Sequence, residues 1–407
     1  MFILKICIYK FKLNNNTYIK KKFALQDSTK EYEAIIKVLQ NAYRKGGTKC
    51  LTKELNSQMG EWKKTIIRVA VIGVSGSGKS SFINAMRGIK DPKHKDFAAV
   101  GVNECTSEVT EYPHPTHKNL ILCDLPGVGT PRFPQDKYLK AVKIDTYDFF
   151  IVITHIRFYE NDAWLASEIS ERKKHVYFVR AKVDQDVRQS LEHHGIPADE
   201  TKKTLREYMQ KNVLDCTKKE TTVFLVNNYN TREYDFGRLT QTISEDLPLI
   251  TKKAFILSLS TITSEVLKLK KDMLEKRIFV VAKGSAIAGT ELISKLRIKV
   301  NHEILQEEVA FYKTQFGIDE HTLKTVCSFL DIHLDELLTS KDGLYTMFSS
   351  SIMALINFVF GQLVLRFFGG IAAEPFCRRS LRHILNITYN DALYVNNKLY
   401  EKVQNIC

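Results

Sequence analysis

The sequence predicts an α/β fold: a mixed, mainly parallel sheet joined to an α-helical domain built from N- and C-terminal segments. Two observations predict it. Between Ile66 and about Gly237, short and almost wholly apolar runs alternate with longer amphipathic segments, the pattern of strands covered by helices on both faces. After Leu247 the apolar residues recur at helical spacing, and 249–374 holds none of the nine prolines, so nothing there breaks a helical ladder.

Taken in order, the apolar runs Ile66–Ile72, Asn119–Cys123, Phe149–Thr154, Val176–Val179 and Val223–Val226 predict strands. Helix-like segments lie between them, notably Ser80–Arg87, Asn161–Arg172 and Lys202–Val213. Beyond the sheet, Ile262, Val266, Leu269 and Met273 fall on one helical stripe, and Ile293, Leu296, Val300 and Ile304 on another. Ahead of the sheet, Ser28–Trp62 is helix-like through Ile35, Val38, Leu39 and Tyr43. The predicted division is an extension at 1–27, N-terminal helices at 28–62, the α/β domain at 63–247 and a helical domain at 248–407.

Composition narrows the function classes. With 44% apolar and 26% charged residues the chain can build a packed core, which excludes global disorder. The net charge of +14 comes from short runs such as Lys20-Lys21-Lys22 and Arg172-Lys173-Lys174. No one stretch interleaves them with aromatics convincingly, so a nucleic-acid role is the weakest expectation. The eight cysteines form no CxxC pair, which argues against a zinc site or a disulfide framework and for a reducing, cytosolic compartment. The start, apolar but broken by Lys5, Lys10 and Lys12, does not read as a secretory signal, and Phe2 excludes N-myristoylation.

The chemistry begins at Gly73-Val74-Ser75-Gly76-Ser77-Gly78-Lys79-Ser80, which follows the first predicted strand and opens a helix through Ser81. Glycines let the backbone turn tightly and aim successive N–H groups at phosphate oxygens. Lys79 can reach β- and γ-phosphates, the Ser80 hydroxyl can ligate Mg²⁺, and the helix start adds its positive dipole end. Asp124-Leu125-Pro126-Gly127 then ends the second apolar run. There a carboxylate suits a water-mediated Mg²⁺ contact, and the Gly127 N–H a γ-phosphate. Lys182-Val183-Asp184 follows the fourth run. Its Asp can accept from guanine N1 and N2, which adenine cannot offer, while the stem of Lys182 covers the base. Asn227 and Asn228 follow the last run and can back the base with N–H groups. Thr106, in Val102–Thr106, stands where a switch loop belongs and is the candidate for Mg²⁺ and γ-phosphate sensing. The expected ligands are therefore GTP or GDP with Mg²⁺.

With those motifs in place, the chain resembles the interferon-inducible, immunity-related GTPases from about residue 30 to beyond 390. Beyond the general motifs, the likeness rests on Gly78-Lys79-Ser80-Ser81-Phe82-Ile83-Asn84, Asp124–Gly129, Phe133–Leu139, Tyr147–Phe150, Phe178–Asp184 and Phe311–Gly317. The resemblance implies a Ras-like P-loop GTPase domain beside a helical domain made from both chain ends. It also implies GTP hydrolysis, self-association through the nucleotide face, and peripheral action on intracellular membranes, notably pathogen-containing vacuoles. Glu104 matches a switch-loop glutamate that the family implicates in hydrolysis. Two positions depart from what Ras-like enzymes or this family usually carry. Val128 stands where Ras-like enzymes have a water-positioning Gln, which this family also lacks. Ala181 stands where the family usually has Thr or Asn, so one polar tie between base loop and cradle is expected to be missing. These departures keep two other readings in play, a nucleotide-gated binding module with negligible turnover and a dynamin-like membrane remodeller.

Gly343–Leu365 contains no charged residue. It reads as a buried helix, a helix that docks on a membrane, or a span, and Ser349–Ser351, Asn357 and Gln362 weaken the last. Downstream, Arg378, Arg379 and Arg382 would favour anionic headgroups.

Overall fold

The computed structural model describes residues 33–100, 108–128, 133–155, 160–218, 221–261, 263–288, 306–334 and 369–406. The strands are β1 (Ile67–Ile72), β2 (Thr110–Pro113), β3 (Leu120–Asp124), β4 (Phe149–Thr154), β5 (His175–Arg180) and β6 (Val223–Leu225). They form one sheet in the order β2-β3-β1-β4-β5-β6. Five are parallel, and β2 alone pairs antiparallel, on β3. Every residue of β4 is buried, as is all of β1 but Arg68, which is why the central strands read as nearly continuous apolar runs. The edge strand β2, Thr-Glu-Tyr-Pro, is half-exposed. It carries no such run and did not stand out in the sequence.

The helices are α1 (33–60), α2 (Lys79–Met86), α3 (Gln135–Ala141), α4 (Glu160–Glu171), α5 (Val183–His194) and α6 (Ala198–Thr217). They continue with α7 (Phe236–Asp246), α8 (Leu249–Ser258), α9 (Ser264–Ala288), α10 (306–316), α11 (Glu320–Leu330) and α12 (Gly369–Ile406). Helices α4 and α6 cover one part of the sheet, where Ala166, Met209 and Val213 pack with Val152, Phe178 and Val223. Helix α6 outruns its predicted span. Gly195, in the left-handed region at φ +65°, ends α5, and Pro197 caps the start of α6.

The described chain falls into two compact units. One contains 33–60, 275–288, 306–310 and 369–386; the other contains the sheet with 61–274, 311–334 and 387–406. The division predicted at 247/248 therefore falls inside the sheet-bearing unit. Phe255 of α8 meets Phe149 of β4 edge-on at 5.6 Å, and Ser258 Oγ donates to Asn119 Oδ1 at 3.3 Å. Farther on, Phe316 meets Tyr389 at 5.9 Å. Helical periodicity shows that a segment has an apolar face, but not which surface that face will cover.

In the other unit, Arg277 grips Glu308 through Nε–Oε1 (2.7 Å) and Nη2–Oε2 (2.8 Å) and donates to the Met59 carbonyl (3.1 Å). Leu39, Leu51, Leu55 and Met59 of α1 are buried, whereas Val38 from the predicted stripe is exposed. Val266 and Met273 are buried and Leu269 partly so. Ile262, the stripe from Ile293 to Ile304, 1–27 and 343–365 lie outside the described residues. No helix among the described residues is long and apolar enough to cross a membrane.

Candidate functional site

The three motifs follow the carboxyl ends of parallel strands, where open α/β sheets bind ligands. The segment from Gly73 to Ser80 leaves β1 and enters α2. Gly73 (φ +153°), Gly76 (φ +76°) and Gly78 (φ +101°) all lie where only glycine is at ease. At Gly73 space forbids any side chain as well: a Cβ would stand 2.2 Å from the Ile153 carbonyl oxygen. The loop therefore presses its backbone against β4. Lys79 is buried, and its Nζ donates to the carbonyls of Gly73 (3.0 Å) and Val74 (3.3 Å), folding the amine into the loop. Ser77 Oγ is buried without a hydrogen-bond partner among the described residues. Ser75 is exposed and Ser80 half-buried at the helix start. This cradle fits a phosphate chain: its three positive-φ glycines let the backbone aim N–H groups at phosphate oxygens, and the Lys79 amine lies within the loop.

Asp124, the last residue of β3, is buried and lies beside Val71 in the parallel register, just before the cradle begins. Leu125 N donates to the Val71 carbonyl (3.0 Å). The following turn is pinned twice, by Tyr138 OH to the Pro126 carbonyl (2.7 Å) and by Asn161 Nδ2 to the Val128 carbonyl (3.0 Å). These supports hold Gly127 and Val128 on fixed backbone. Tyr138 is fully buried, and burial raises its phenol far above the ordinary range. Thr106 and Glu104 lie outside the described residues.

The base-side loop is built from two strand ends. Ala181 N donates to the Thr154 carbonyl (2.9 Å) and Val183 N to the Val226 carbonyl (3.4 Å). Lys182 takes left-handed backbone (φ +59°) and caps α5, which places Asp184 in the first helical turn. Below it, Arg180 Nη2 and Nε reach Asp186 Oδ2 at 2.8 and 3.1 Å. Burial raises the Asp186 carboxyl, while Arg180 acts in the opposite sense. Burial also lowers the His155 imidazole at the end of β4, with Lys182 and Arg180 adding to the effect.

Sequence reasoning placed Asn227 and Asn228 by backbone alone; their side chains do separate work. Asn227 Oδ1 accepts from the backbone N–H of Tyr229 (2.9 Å) and of Asn230 (3.2 Å), closing a local turn. Asn228 Nδ2 donates to the Gly78 carbonyl at 3.1 Å. A Cβ added to Gly78 would lie 3.5 Å from Ala181 Cβ, so Ala181 stands beside the cradle, and the polar tie to Gly78 comes from Asn228. Tyr229, unmarked in the sequence, sets its hydroxyl 3.4 Å from Ser81 Oγ.

The family model for interferon-inducible GTPases matches residues 32–398. Interferon-inducible GTPase 1 of Mus musculus is 34% identical over 311 residues, covering 75% of this chain and 74% of its own. T-cell-specific guanine nucleotide triphosphate-binding protein 2 of Mus musculus is 35% identical over 273 residues (66% and 65%). Interferon-inducible GTPase 5 of Bos taurus is 35% identical over 292 residues, 71% of this chain and 62% of that protein. The match thus spans slightly less than two thirds of the last two relatives' length. A family model matched over residues 32–398, the cradle and the helices before and after it included, shows that the chain belongs to the interferon-inducible GTPase family and is a GTPase of the immunity-related type.

Proposed function

We propose that this chain binds GTP between the cradle and Lys182–Asp184, hydrolyses it with Mg²⁺, and does so in assemblies on intracellular or pathogen-vacuole membranes in cell-autonomous defence. The observation that carries the nucleotide reading is the Asn228–Gly78 contact, which joins the base-side loop to the phosphate cradle as one site. Backbone N–H groups from Val74 to Ser81 and the Lys79 amine would hold the phosphates. Asp184 would accept from the guanine edge, and Lys182 would cover the base. Ser80, Thr106 and Asp124 are the residues that would hold Mg²⁺, which neutralises charge on the β- and γ-phosphate oxygens.

The Val128 side chain offers no hydrogen bond to an attacking water. Positioning that water then falls to the substrate's own phosphate, to Glu104, or to a second copy meeting the nucleotide face. GTPase activity per molecule is accordingly expected to rise with protein concentration, and a flat specific activity would contradict assembly-dependent turnover. Association with membrane is proposed as peripheral, from the cytoplasmic side, favoured by the exposed Arg379 and Arg382. Arg378, expected to join them, is instead paired with Glu374 and stacked on Phe279.

GTP and ATP affinities of wild type and Asp184→Asn test the base assignment. An amide in place of the carboxylate leaves the guanine donors poorly matched, at a cost of about 2–3 kcal/mol, or roughly 30- to 150-fold in GTP affinity. ATP affinity should stay unchanged. Equal affinity of the wild type for both nucleotides would overturn the assignment.

A further inference from the structure

The loop between β6 and α7 is held from two directions. Its base is closed by Asp235, whose N–H donates to the Leu225 carbonyl (2.8 Å) and whose Oδ2 accepts from Leu225 N (2.9 Å) and Arg206 Nη2 (2.8 Å). Toward the cradle, Asn228 reaches the Gly78 carbonyl and Tyr229 reaches Ser81. Both contacts land on the start of α2, the backbone that presents donors to phosphate. Away from the cradle, Asn230 Nδ2 donates to Tyr400 OH (3.2 Å), and Arg232 Nη1 to Asn397 Oδ1 (3.2 Å). Arg232 Nη2 donates to the Asn396 carbonyl (2.5 Å) and to its side chain, and the guanidinium sits 4.7 Å from the Tyr400 ring centroid. Asn396 is itself fixed by donating to the Thr261 carbonyl (3.1 Å). All these groups belong to the sheet-bearing unit.

We propose that this loop is a strap through which the C-terminal segment of α12 sets the affinity of the guanine site, with Asn228 and Arg232 as positioning residues. The proposal rests on the nucleotide reading above and adds a control point to it. A loop that must order itself around a base binds weakly, and one already tied in place avoids that loss. The Asn227 turn makes the segment between the two anchors short and stiff, so releasing either anchor frees the part that faces the base. Arg232 touches neither the cradle nor Lys182–Asp184, yet its removal should loosen the segment that faces the base.

The test uses the full chain: GTP and ATP affinities and thermal melting for wild type, Asn228→Ala, Arg232→Ala and the double variant. Each single variant is expected to weaken GTP binding about five- to tenfold, the size of one lost polar tie, while ATP affinity and melting temperature hold. The double variant should lose no more than the worse single, because both act through one strap. If Arg232→Ala does not fold, Tyr400→Phe removes only the hydroxyl that accepts from Asn230 and should weaken GTP about twofold. A wild type with no preference for GTP would overturn the nucleotide reading itself. A GTP-selective wild type with unchanged variants, or losses that multiply in the double, would overturn the strap alone.

Discussion

Lys79→Ala is expected to abolish measurable GTP binding while leaving the fold intact. The amine already points into the cradle, held by the carbonyls of Gly73 and Val74 at 3.0 and 3.3 Å. A phosphate chain in the loop would take over those donors as charge-assisted bonds of about 1.5–3 kcal/mol each. Two such bonds amount to a loss of roughly a hundred- to ten-thousandfold in affinity. Alanine is a good helix former at the first position of α2, and the buried side chain it shortens lies in the phosphate loop, not in the clusters that pack the sheet. Equilibrium titration with a fluorescent GTP analogue, alongside melting, checks this; affinity within tenfold of wild type would contradict the phosphate role. Gly73→Ala should act by another route, because its Cβ would strike the Ile153 carbonyl at 2.2 Å. The cradle would have to move as backbone, so both binding and stability should fall.

The second large effect is on stability, and it comes from a group of buried bases. Lys270 is only 2% exposed, and its Nζ donates to the Gln315 carbonyl (2.9 Å) and Oε1 (3.3 Å). Burial pushes its ammonium down to about 7. His114, whose Nε2 lies 2.8 Å from Ser260 Oγ, is held well below the usual imidazole range by burial first and then by His117, Lys270, Arg87 and Lys118. His117 falls to about 4 through burial, with Lys270 and Lys63 adding to it.

All three pKa values are lower folded than unfolded, so the unfolded chain binds more protons wherever they differ. For Lys270 that window runs from about 7 up to the ordinary 10.5, and stability should rise with pH across it. For the histidines it opens below 6.5, and stability should fall on acidification at up to about 1.4 kcal/mol per pH unit for each. Lys270→Met is therefore expected to stabilise the neutral protein. Keeping the lysine charged costs roughly 5 kcal/mol by its shift, and the Gln315 acceptors left without a donor offset about 1–3 of it. Melting followed from pH 4.5 to 9 reads both slopes. A Lys270→Met variant with the wild-type profile above pH 7 would contradict the assignment.

The parallel strands are legible because each is largely buried on both faces and so carries a nearly continuous apolar run. Strand β2 is not, since Thr110–Pro113 sits at an edge and is specified by its ladder to β3 rather than by hydrophobicity. Helix α5 escaped notice for a related reason: among its residues only Val183 is fully buried, so it shows no apolar stripe. The cradle was readable at once, because its glycines are demanded by local backbone geometry. Asn228 was harder. Its link to Gly78 spans 150 residues of sequence, and no local pattern encodes a side chain's reach across the sheet. At Ala181 the sequence predicts a missing polar tie between base loop and cradle. The fold supplies a tie to the same glycine from the neighbouring strand end.

The sheet-bearing unit is also ordered in time. Its last strand ends at Leu225, yet the unit closes only with residues 387–406. A ribosome adding about 5–20 residues per second leaves the six strands waiting on the order of ten to thirty seconds for the end of α12. During that interval the loop after β6 lacks Tyr400 and Asn396, while the cradle is already made. Vectorial synthesis thus delivers the phosphate grip first and the anchored base loop last.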